Sequence, residues 1–351
     1  MTTRVAINGF GRIGRQAFKI AADYPELEVV AINDIGDIHN MAYLLRHDTV
    51  YGADKAKIEV CDDALLVDGI RYPVYAISDP SKLPWQVLKI DVVVESTGRF
   101  KTAEQAEAHL QAGAKSVVVS APSKGAKTIV LGINHNELAD EVRKPNGSRV
   151  FSNASCTTNS VAPVMAVLER EFGVKKALMT TVHSYTGDQA LVDAPHKDFR
   201  RGRAAGQNIV PTSTGAARAT GQVLPGLNGR FDGSCLRVPT LDVSISDITL
   251  VTETSTTIEE VNAAFRKASH SWLAGILGVT DEPLVSADFI GSRYSTVVDL
   301  SLTQVMGGDL VKVFAWYDNE WGYSCRLVEA VVLLGDALAQ QRVPELALAG
   351  A

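Results

Sequence analysis

The sequence predicts an α/β protein of two domains: a parallel sheet wrapped by helices at the amino end, then an α+β unit on a mixed or antiparallel sheet. Three observations predict this. A glycine-punctuated turn, Gly9-Phe10-Gly11-Arg12-Ile13-Gly14, joins the apolar run Val5-Ala6-Ile7-Asn8 to the helical stretch RQAFKIAADY. Runs that are apolar on both faces recur at 90–98 and 116–122, separated by the helical KTAEQAEAHLQAGA, as in a parallel sheet covered on both sides. Further β-rich runs at 241–252 and 310–317 supply the second sheet. A length of 351 residues suits two domains of about 100–200 residues each.

The first elements carry the first chemical signal. A strand that enters a helix through glycines lets bare backbone amides approach a pyrophosphate at the positive end of the helix dipole. The next run, EVVAIND, ends in Asp34, which lies 20 residues after Gly14, where a dinucleotide-binding fold of the Rossmann type places the acid that hydrogen-bonds an adenosine ribose. The charge of Asp34 repels a 2′-phosphate, which favours NAD. Gly36 leaves room beside the ribose, so NADP stays open as a secondary cofactor. The runs at 90–98 and 116–122 end in Ser96-Thr97-Gly98 and Ser120-Ala121, and ligands in such sheets lie beyond the carboxyl ends of the strands.

The next segment, SNASCTTNS (152–160), sets Cys156 after the strand-like SRVF and before VAPVMAVLEREF, whose Val161, Met165 and Leu168 have helical spacing. A thiol at a helix amino terminus has its thiolate stabilised and becomes nucleophilic near neutrality. Pro163 leaves two starts open for this helix, Thr157 or the proline itself. After LMTTV comes His183, the side-chain type best suited to take a proton at cellular pH, and a Cys–His pair activates its own nucleophile.

The basic stretch HKDFRRGRAAGQN (196–208) then leads into PTSTGAA (211–217). Guanidinium forks bind phosphate by paired hydrogen bonds, and Thr214 and Gly215 add neutral donors. A solvated loop or a subunit contact is the competing reading of these arginines. Arg237, within the apolar run SCLRVPTLDVSISDITL, needs a partner for its buried charge, and a substrate phosphate serves.

The balance of 34 Lys+Arg against 40 Asp+Glu, a net charge of −6, argues against a nucleic-acid grip, which takes a basic stripe. No stretch of about 18 apolar residues implies a membrane span, and MTTRVAINGF lacks the apolar core of a secretory signal. Cys61, Cys156, Cys235 and Cys325 form no C-x-x-C pair, so neither a zinc site nor a disulfide framework is expected, and a reduced, cytoplasmic setting fits.

Across INGFGRIGR (7–15), SNASCTTN (152–159), HSYTGDQ (183–189), HKDFRRGRAA (196–205), PTSTGAA (211–217), LRVPT (236–240) and WYDNEWGYS (316–324), the chain resembles phosphorylating glyceraldehyde-3-phosphate dehydrogenases almost end to end. The resemblance implies Cys156 as nucleophile and His183 as base. It implies Thr186 and Arg237 for the phosphate of glyceraldehyde 3-phosphate, and Ser155, Thr157, Thr214, Gly215 and Arg201 for inorganic phosphate. For NAD it implies the turn at Gly9, Gly11, Arg12 and Ile13 at the pyrophosphate, Asp34 at the ribose, Ser78 toward the adenine edge, Ser120 near the nicotinamide and Asn319 at its carboxamide. Residues 1–155 become the NAD-binding domain, completed by an amphipathic C-terminal helix over 320–342 that packs back on it and ends in a frayed tail. Residues 156–319 become the catalytic domain, and a homotetramer is expected.

The related erythrose-4-phosphate dehydrogenases usually lack the intact SYT and STG runs, which favours the three-carbon aldehyde; a non-catalytic cofactor-binding protein has no need of a reactive thiol. Three positions depart from the family pattern. Ser160 replaces a common second cysteine and cannot pair with Cys156. Gly187 stands where asparagine is usual, which loosens the turn bearing Thr186. Ser78 stands where arginine is frequent and loses that side chain's contact at the adenine edge. Ala194-Pro195 matches the NAD-type loop in its proline alone.

Overall fold

The computed structural model describes residues 2–348, and its internal contacts divide the chain into two units. The first comprises residues up to 129, residues 134–154 and the chain from 324 onward; the second comprises 130–133 and 155–323. Among the described residues no helix is long and apolar enough to cross a membrane, and no cluster of His, Cys, Asp and Glu could hold a metal ion.

The first unit is built on a nine-stranded sheet. Its central strand, Thr3–Asn8, pairs in parallel with Leu27–Asn33 on one side and Val92–Glu95 on the other. Parallel pairing continues outward through Ser116–Val119, Val150–Ser152 and Lys127–Thr128 on one flank and Ile70–Tyr75 on the other. An antiparallel hairpin, Ile58–Cys61 and Ala64–Val67, adds an edge that the apolar runs do not signal. Val92, Val93 and Val94 are all fully buried, as runs apolar on both faces require. The winding reverses beside Thr3–Asn8, and the carboxyl ends at that reversal form the expected ligand crevice.

Helix Arg12–Ala21 starts directly at the glycine turn and buries Ala17, Phe18 and Ile20 against the sheet. A Cβ on Gly14 would stand 2.0 Å from the Gly9 carbonyl oxygen, so glycine is what lets this helix approach the strand. Gly14→Ala is expected to cost about 1–3 kcal/mol of stability, the usual range for overpacking, and to weaken NAD binding; urea denaturation and calorimetric titration check both.

Two helices differ from expectation. The segment 101–114 is interrupted at Glu107 into Ala103–Ala106 and Ala108–Gln111, the first held by a capping box between Thr102 and Gln105. The C-terminal helix runs Trp321–Leu348 rather than 320–342, continuing through part of the segment expected to fray; residues 349–351 lie outside the described residues. It is not simply amphipathic, because Tyr323, Cys325, Arg326, Leu327 and Val328 are all buried. From residue 324 it belongs to the first unit, where the Tyr24 hydroxyl donates to Glu329 (3.3 Å) and Gln341 donates to the Val142 carbonyl.

The second unit is a seven-stranded mixed sheet in the order Val210–Thr212, Phe231–Val238, Val174–Ser184, Ser244–Thr252, Leu310–Tyr317, Thr296–Met306, Leu277–Thr280. Ser244–Thr252 alternates strictly between buried and half-buried residues, the signature of a sheet with one covered face. Helices Cys156–Phe172 and Ile258–Ser269 supply Val161, Met165, Leu168, Val261 and Phe265 to the core beneath that face.

Candidate active site

In the first unit, Asn8, Gly9, Gly11, Asn33, Asp34, Ile77, Ser78, Ser96 and Thr97 line a cavity of about 270 Å³ at the strand ends. Gly9 has φ +94°, and a Cβ there would meet the Thr97 amide at 2.5 Å. Gly11 caps the helix with no side-chain hydrogen bond, and a Cβ on it would enter open space. The amides of the first turn and the open face of Gly11 form the cradle a pyrophosphate needs. The Arg12 guanidinium pairs with Asp48 at 2.5 Å, so what Arg12 and Ile13 offer toward a pyrophosphate is their backbone at the helix start. The Asp34 carboxylate accepts the Phe10 amide (2.6 Å) and the Gly36 amide (2.8 Å), which fixes it at the turn, with further lone pairs for ribose hydroxyls. Ser120 follows strand Ser116–Val119, its amide donating to the Glu95 carbonyl at 2.9 Å. These residues fit a dinucleotide.

In the second unit, helix Cys156–Phe172 begins at Cys156 itself, one residue before the earlier of the two expected starts. Ser155 is its N-cap: the hydroxyl accepts the Thr158 amide at 3.0 Å. Pro163 is accommodated inside the helix, where its missing N–H forgoes one intrahelical bond.

Strand register brings the base to the thiol's side of the sheet. His183 stands opposite Arg237 on the parallel neighbour Phe231–Val238. His183 Nε2 lies 3.4 Å from Cys156 Sγ, and Nδ1 lies 2.7 Å from the Ser184 carbonyl. A carbonyl only accepts, so we assign the proton to Nδ1, leaving the Nε2 lone pair facing sulfur. The Arg237 guanidinium, which can only donate, also lies 3.0 Å from Nδ1; the shorter carbonyl contact decides the assignment, and Arg237 donates instead to the Ser184 carbonyl (3.1 Å) and the Thr186 hydroxyl (3.2 Å).

Electrostatics here correct the sequence expectation. Burial pushes the Cys156 thiol up to about 11, outweighing Arg237 and the hydrogen bonds of Thr157, which pull it down. Burial, with Arg237 adding to it, pushes His183 down to about 3. Both shifts favour the uncharged thiol and neutral imidazole over the pre-formed thiolate that a helix amino terminus suggests. The helix start lowers the cost of making the anion but does not overcome its desolvation. His183 consequently works as a base at the moment of attack.

The imidazole also couples folding to pH. Unfolded, His183 binds a proton below its ordinary 6.5; folded, it does so only near 3, so stability falls as pH drops through that window. His183→Gln is expected to flatten the acid limb between these values by about one proton, read from urea midpoints across pH.

A chain of polar contacts extends from this pair. The Thr186 hydroxyl donates to Asp188, and Asp188 in turn accepts from Arg201, which also meets Asp198 at 3.4 Å. Burial raises the Asp188 carboxyl, but the Thr186 hydroxyl and the Arg201 and Arg237 charges outweigh it and hold it below the ordinary range. Arg237 is half-buried rather than largely buried, and its Nε is enclosed without a hydrogen-bond partner among the described residues, a donor suited to an arriving oxyanion.

The other expected phosphate ligands are placed less directly. The Ser155 hydroxyl is engaged in capping, and the Thr157 hydroxyl bonds Tyr317 at 3.0 Å, so Thr157 has its backbone to offer. Thr214 accepts the Ala216 amide at 3.1 Å, and Gly215 opens helix Ala216–Val223 with nothing within 4 Å of its missing Cβ. Neither shares a hydrogen bond with the Arg201–Asp188 chain among the described residues. Asn319 is 6% exposed; its side-chain oxygen accepts from Ser184 (2.8 Å) and Ser244 (2.7 Å), which leaves the amide nitrogen to donate. Ser160 is fully buried and donates to Thr296 at 3.2 Å, while Gly187 has open space around it.

Sequence reasoning missed three participants. Asp188 lies two residues after Thr186 in HSYTGDQ, but its bridging to Arg201 depends on the loop's return. Tyr317 joins Thr157 and Thr181 (2.7 Å) and packs edge-on to His183, and Ser244 orients Asn319. Register between distant strands creates the last two, and no local signal announces them.

The NAD-binding-domain profile of glyceraldehyde 3-phosphate dehydrogenases matches residues 3–103, and the C-terminal-domain profile matches residues 155–319. The chain belongs to this family. It is 51% identical over 334 residues to glyceraldehyde-3-phosphate dehydrogenase of Thermotoga maritima, covering 94% of this chain and 98% of that protein. The Geobacillus stearothermophilus glyceraldehyde-3-phosphate dehydrogenase is 49% identical over 330 residues, 94% of this chain and 97% of its own. The chloroplastic glyceraldehyde-3-phosphate dehydrogenase B of Pisum sativum is 51% identical over 340 residues, 95% of this chain and 74% of that longer protein. Membership accounts for each set of residues by itself: the dinucleotide crevice of the first unit, and the thiol–imidazole pair beside cationic donors of the second.

Proposed function

We propose that the protein is a phosphorylating glyceraldehyde-3-phosphate dehydrogenase, converting D-glyceraldehyde 3-phosphate, NAD and inorganic phosphate to 1,3-bisphosphoglycerate and NADH. The observation that carries this reading is the 3.4 Å approach of Cys156 Sγ to Nε2 of His183, beside the guanidinium of Arg237.

Cys156 sulfur adds to the aldehyde carbon while its proton passes to Nε2 of His183 and on to the carbonyl oxygen, giving a thiohemiacetal. His183 then removes that hydroxyl proton as hydride leaves the carbon, and a thioester results. NAD, when bound, supplies the hydride acceptor. An oxygen of hydrogen phosphate bonds to the thioester carbon and its proton is released to solvent, while the C–S bond breaks and sulfur recovers the proton from His183. Arg237 and Thr186 hold the substrate's own phosphate; Arg201, Thr214, Gly215 and the backbone at Ser155 and Thr157 receive inorganic phosphate. Fixing phosphate beside the thioester replaces a bimolecular encounter, which is worth up to about 7–11 kcal/mol. Asp188 accepts from both Thr186 and Arg201 and so competes with phosphate for these two donors.

The assembly we propose is a cytoplasmic homotetramer. Four free thiols support the reducing setting. Leu178 at 66% exposure, Leu191 at 79% and Phe199 at 88% support burial against further subunits. Sedimentation equilibrium tests the assembly, and a monomer would refute it. The reaction is tested by NADH absorbance with and without phosphate, and by comparing kcat/KM for glyceraldehyde 3-phosphate and erythrose 4-phosphate. Preference for the four-carbon sugar, or no NADH at all, would overturn the assignment.

A further inference from the structure

Behind the dinucleotide cavity lies a buried polar chain that the reaction does not use. Trp85 and His109 are fully buried, and Glu95, Asn8 and Asn33 are at most 4% exposed. The Trp85 indole N–H donates to His109 Nδ1 at 3.0 Å. An indole nitrogen can only donate, so Nδ1 is the acceptor and the imidazole carries its proton on Nε2. Nε2 then donates to Glu95 Oε2 at 3.1 Å, and Asn8 Nδ2 donates to the same oxygen at 2.5 Å. Glu95 Oε1 accepts the Thr97 amide (2.9 Å) and the Thr97 hydroxyl (2.5 Å). Asn33 Nδ2 donates to Asn8 Oδ1 (2.6 Å) and to the Ile77 carbonyl (3.0 Å), and Asn33 Oδ1 accepts the Ile77 amide (2.9 Å).

Each end of this chain is a wall of the cavity. Asn8, Asn33 and Glu95 are the last residues of the three central strands, and Gly9, Asp34, Ser96 and Thr97 follow them directly. Ile77 carries Ser78, and the His109 ring stands edge-on to Phe100 at 6.5 Å; both Ser78 and Phe100 line the cavity. The glycine turn, the ribose acid and the Thr97 wall are thus tied through one carboxylate and one imidazole of fixed tautomer. The indole, imidazole, Asn33 and Thr97 donors each meet an acceptor, the condition under which a buried network rigidifies its surroundings; Asn8 Nδ2 also stands 3.3 Å from His109 Nε2, where donor faces donor in this tautomer and Glu95 Oε2 takes both hydrogens.

We propose that Glu95 and His109 are positioning residues for the dinucleotide, holding three strand ends in the arrangement that binds NAD and thereby setting cofactor affinity apart from chemistry at Cys156. This rests on the dehydrogenase reading above. His109→Leu removes both hydrogen bonds of the imidazole, and Glu95→Gln sets an amide against donors.

Calorimetric titration of the full-length variants with NAD, alongside kcat at saturating NAD and Cys156 alkylation rates, tests the proposal. The expected result is an increase in the NAD Kd of about tenfold or more for both variants, with alkylation and saturated kcat kept within about threefold. His109→Gln, which can accept from Trp85 and donate to Glu95, is expected to restore the Kd to within about threefold of wild type. Trp85→Phe deletes a single donor in a similar volume, and a Kd raised about threefold is its expected signature should His109→Leu fail to fold. Wild-type affinity in folded His109→Leu, Glu95→Gln or Trp85→Phe would overturn the proposal, as would a fall in saturated kcat with Kd unchanged. Failure of the wild-type protein to bind NAD would instead overturn the dehydrogenase reading itself.

Discussion

Replacing Cys156 with serine is expected to abolish turnover, lowering kcat by about 10⁵-fold, the scale seen when a covalent catalyst loses its nucleophile. The substitution keeps the side chain's shape at the first helical position, where Ser155 still caps the helix, so the fold is retained. What changes is chemistry. A hydroxyl is far harder to deprotonate than a thiol that burial holds near 11, and an oxygen ester donates into its carbonyl more strongly than a thioester, so phosphate attack is slowed as well. NAD binding depends on the first unit's crevice and is expected to be unchanged. Stopped-flow NADH absorbance and calorimetric NAD titration check the two halves of this prediction.

His183→Gln is expected to lower kcat by about 10²–10⁴-fold, the usual contribution of a positioned general base. The amide oxygen of glutamine can accept a hydrogen bond from the thiol but cannot carry its proton away. Because the resting partners are thiol and neutral imidazole, the loss should fall on formation of the thiohemiacetal and on hydride release alike. Alkylation of Cys156 by iodoacetamide at neutral pH should slow as well, and recover as pH rises toward the thiol's own ionisation near 11. A wild-type alkylation rate at pH 7 would mean that the imidazole does not assist the sulfur.

The legibility of this molecule follows from the range of the forces involved. The glycine turn was readable because its needs are local: Gly9 must take φ +94° and Gly14 must clear a carbonyl, requirements that a hexapeptide states outright. The parallel sheet was readable because Val92, Val93 and Val94 are buried on both faces. Cys156 and His183 could be named from residue type and flanking pattern, but their partnership arises from a strand register that pairs His183 with Arg237 across 54 residues.

Features set by distant contacts stayed hidden. The antiparallel hairpin Ile58–Cys61 and Ala64–Val67 carries no pattern beyond short β-rich runs. The fixed orientation of Asn319 requires two serines, Ser184 and Ser244, from separate strands. The Trp85–His109–Glu95 chain falls in segments that separately look like a loop, a helix and a strand end. The Cys156 thiol follows the same rule: a helix start is visible in sequence, whereas the burial that opposes ionisation is not.

In this mechanism a Cys156 thioester lies between hydride transfer and phosphate attack. Rapid mixing of the NAD-loaded protein with glyceraldehyde 3-phosphate in phosphate-free buffer measures it most directly. The predicted result is a burst of NADH matching the Cys156 content, followed by a halt, with an acyl group on Cys156 by mass spectrometry and steady turnover resuming when phosphate is added. Continued turnover without phosphate, or a burst with Cys156 left unmodified, would contradict it.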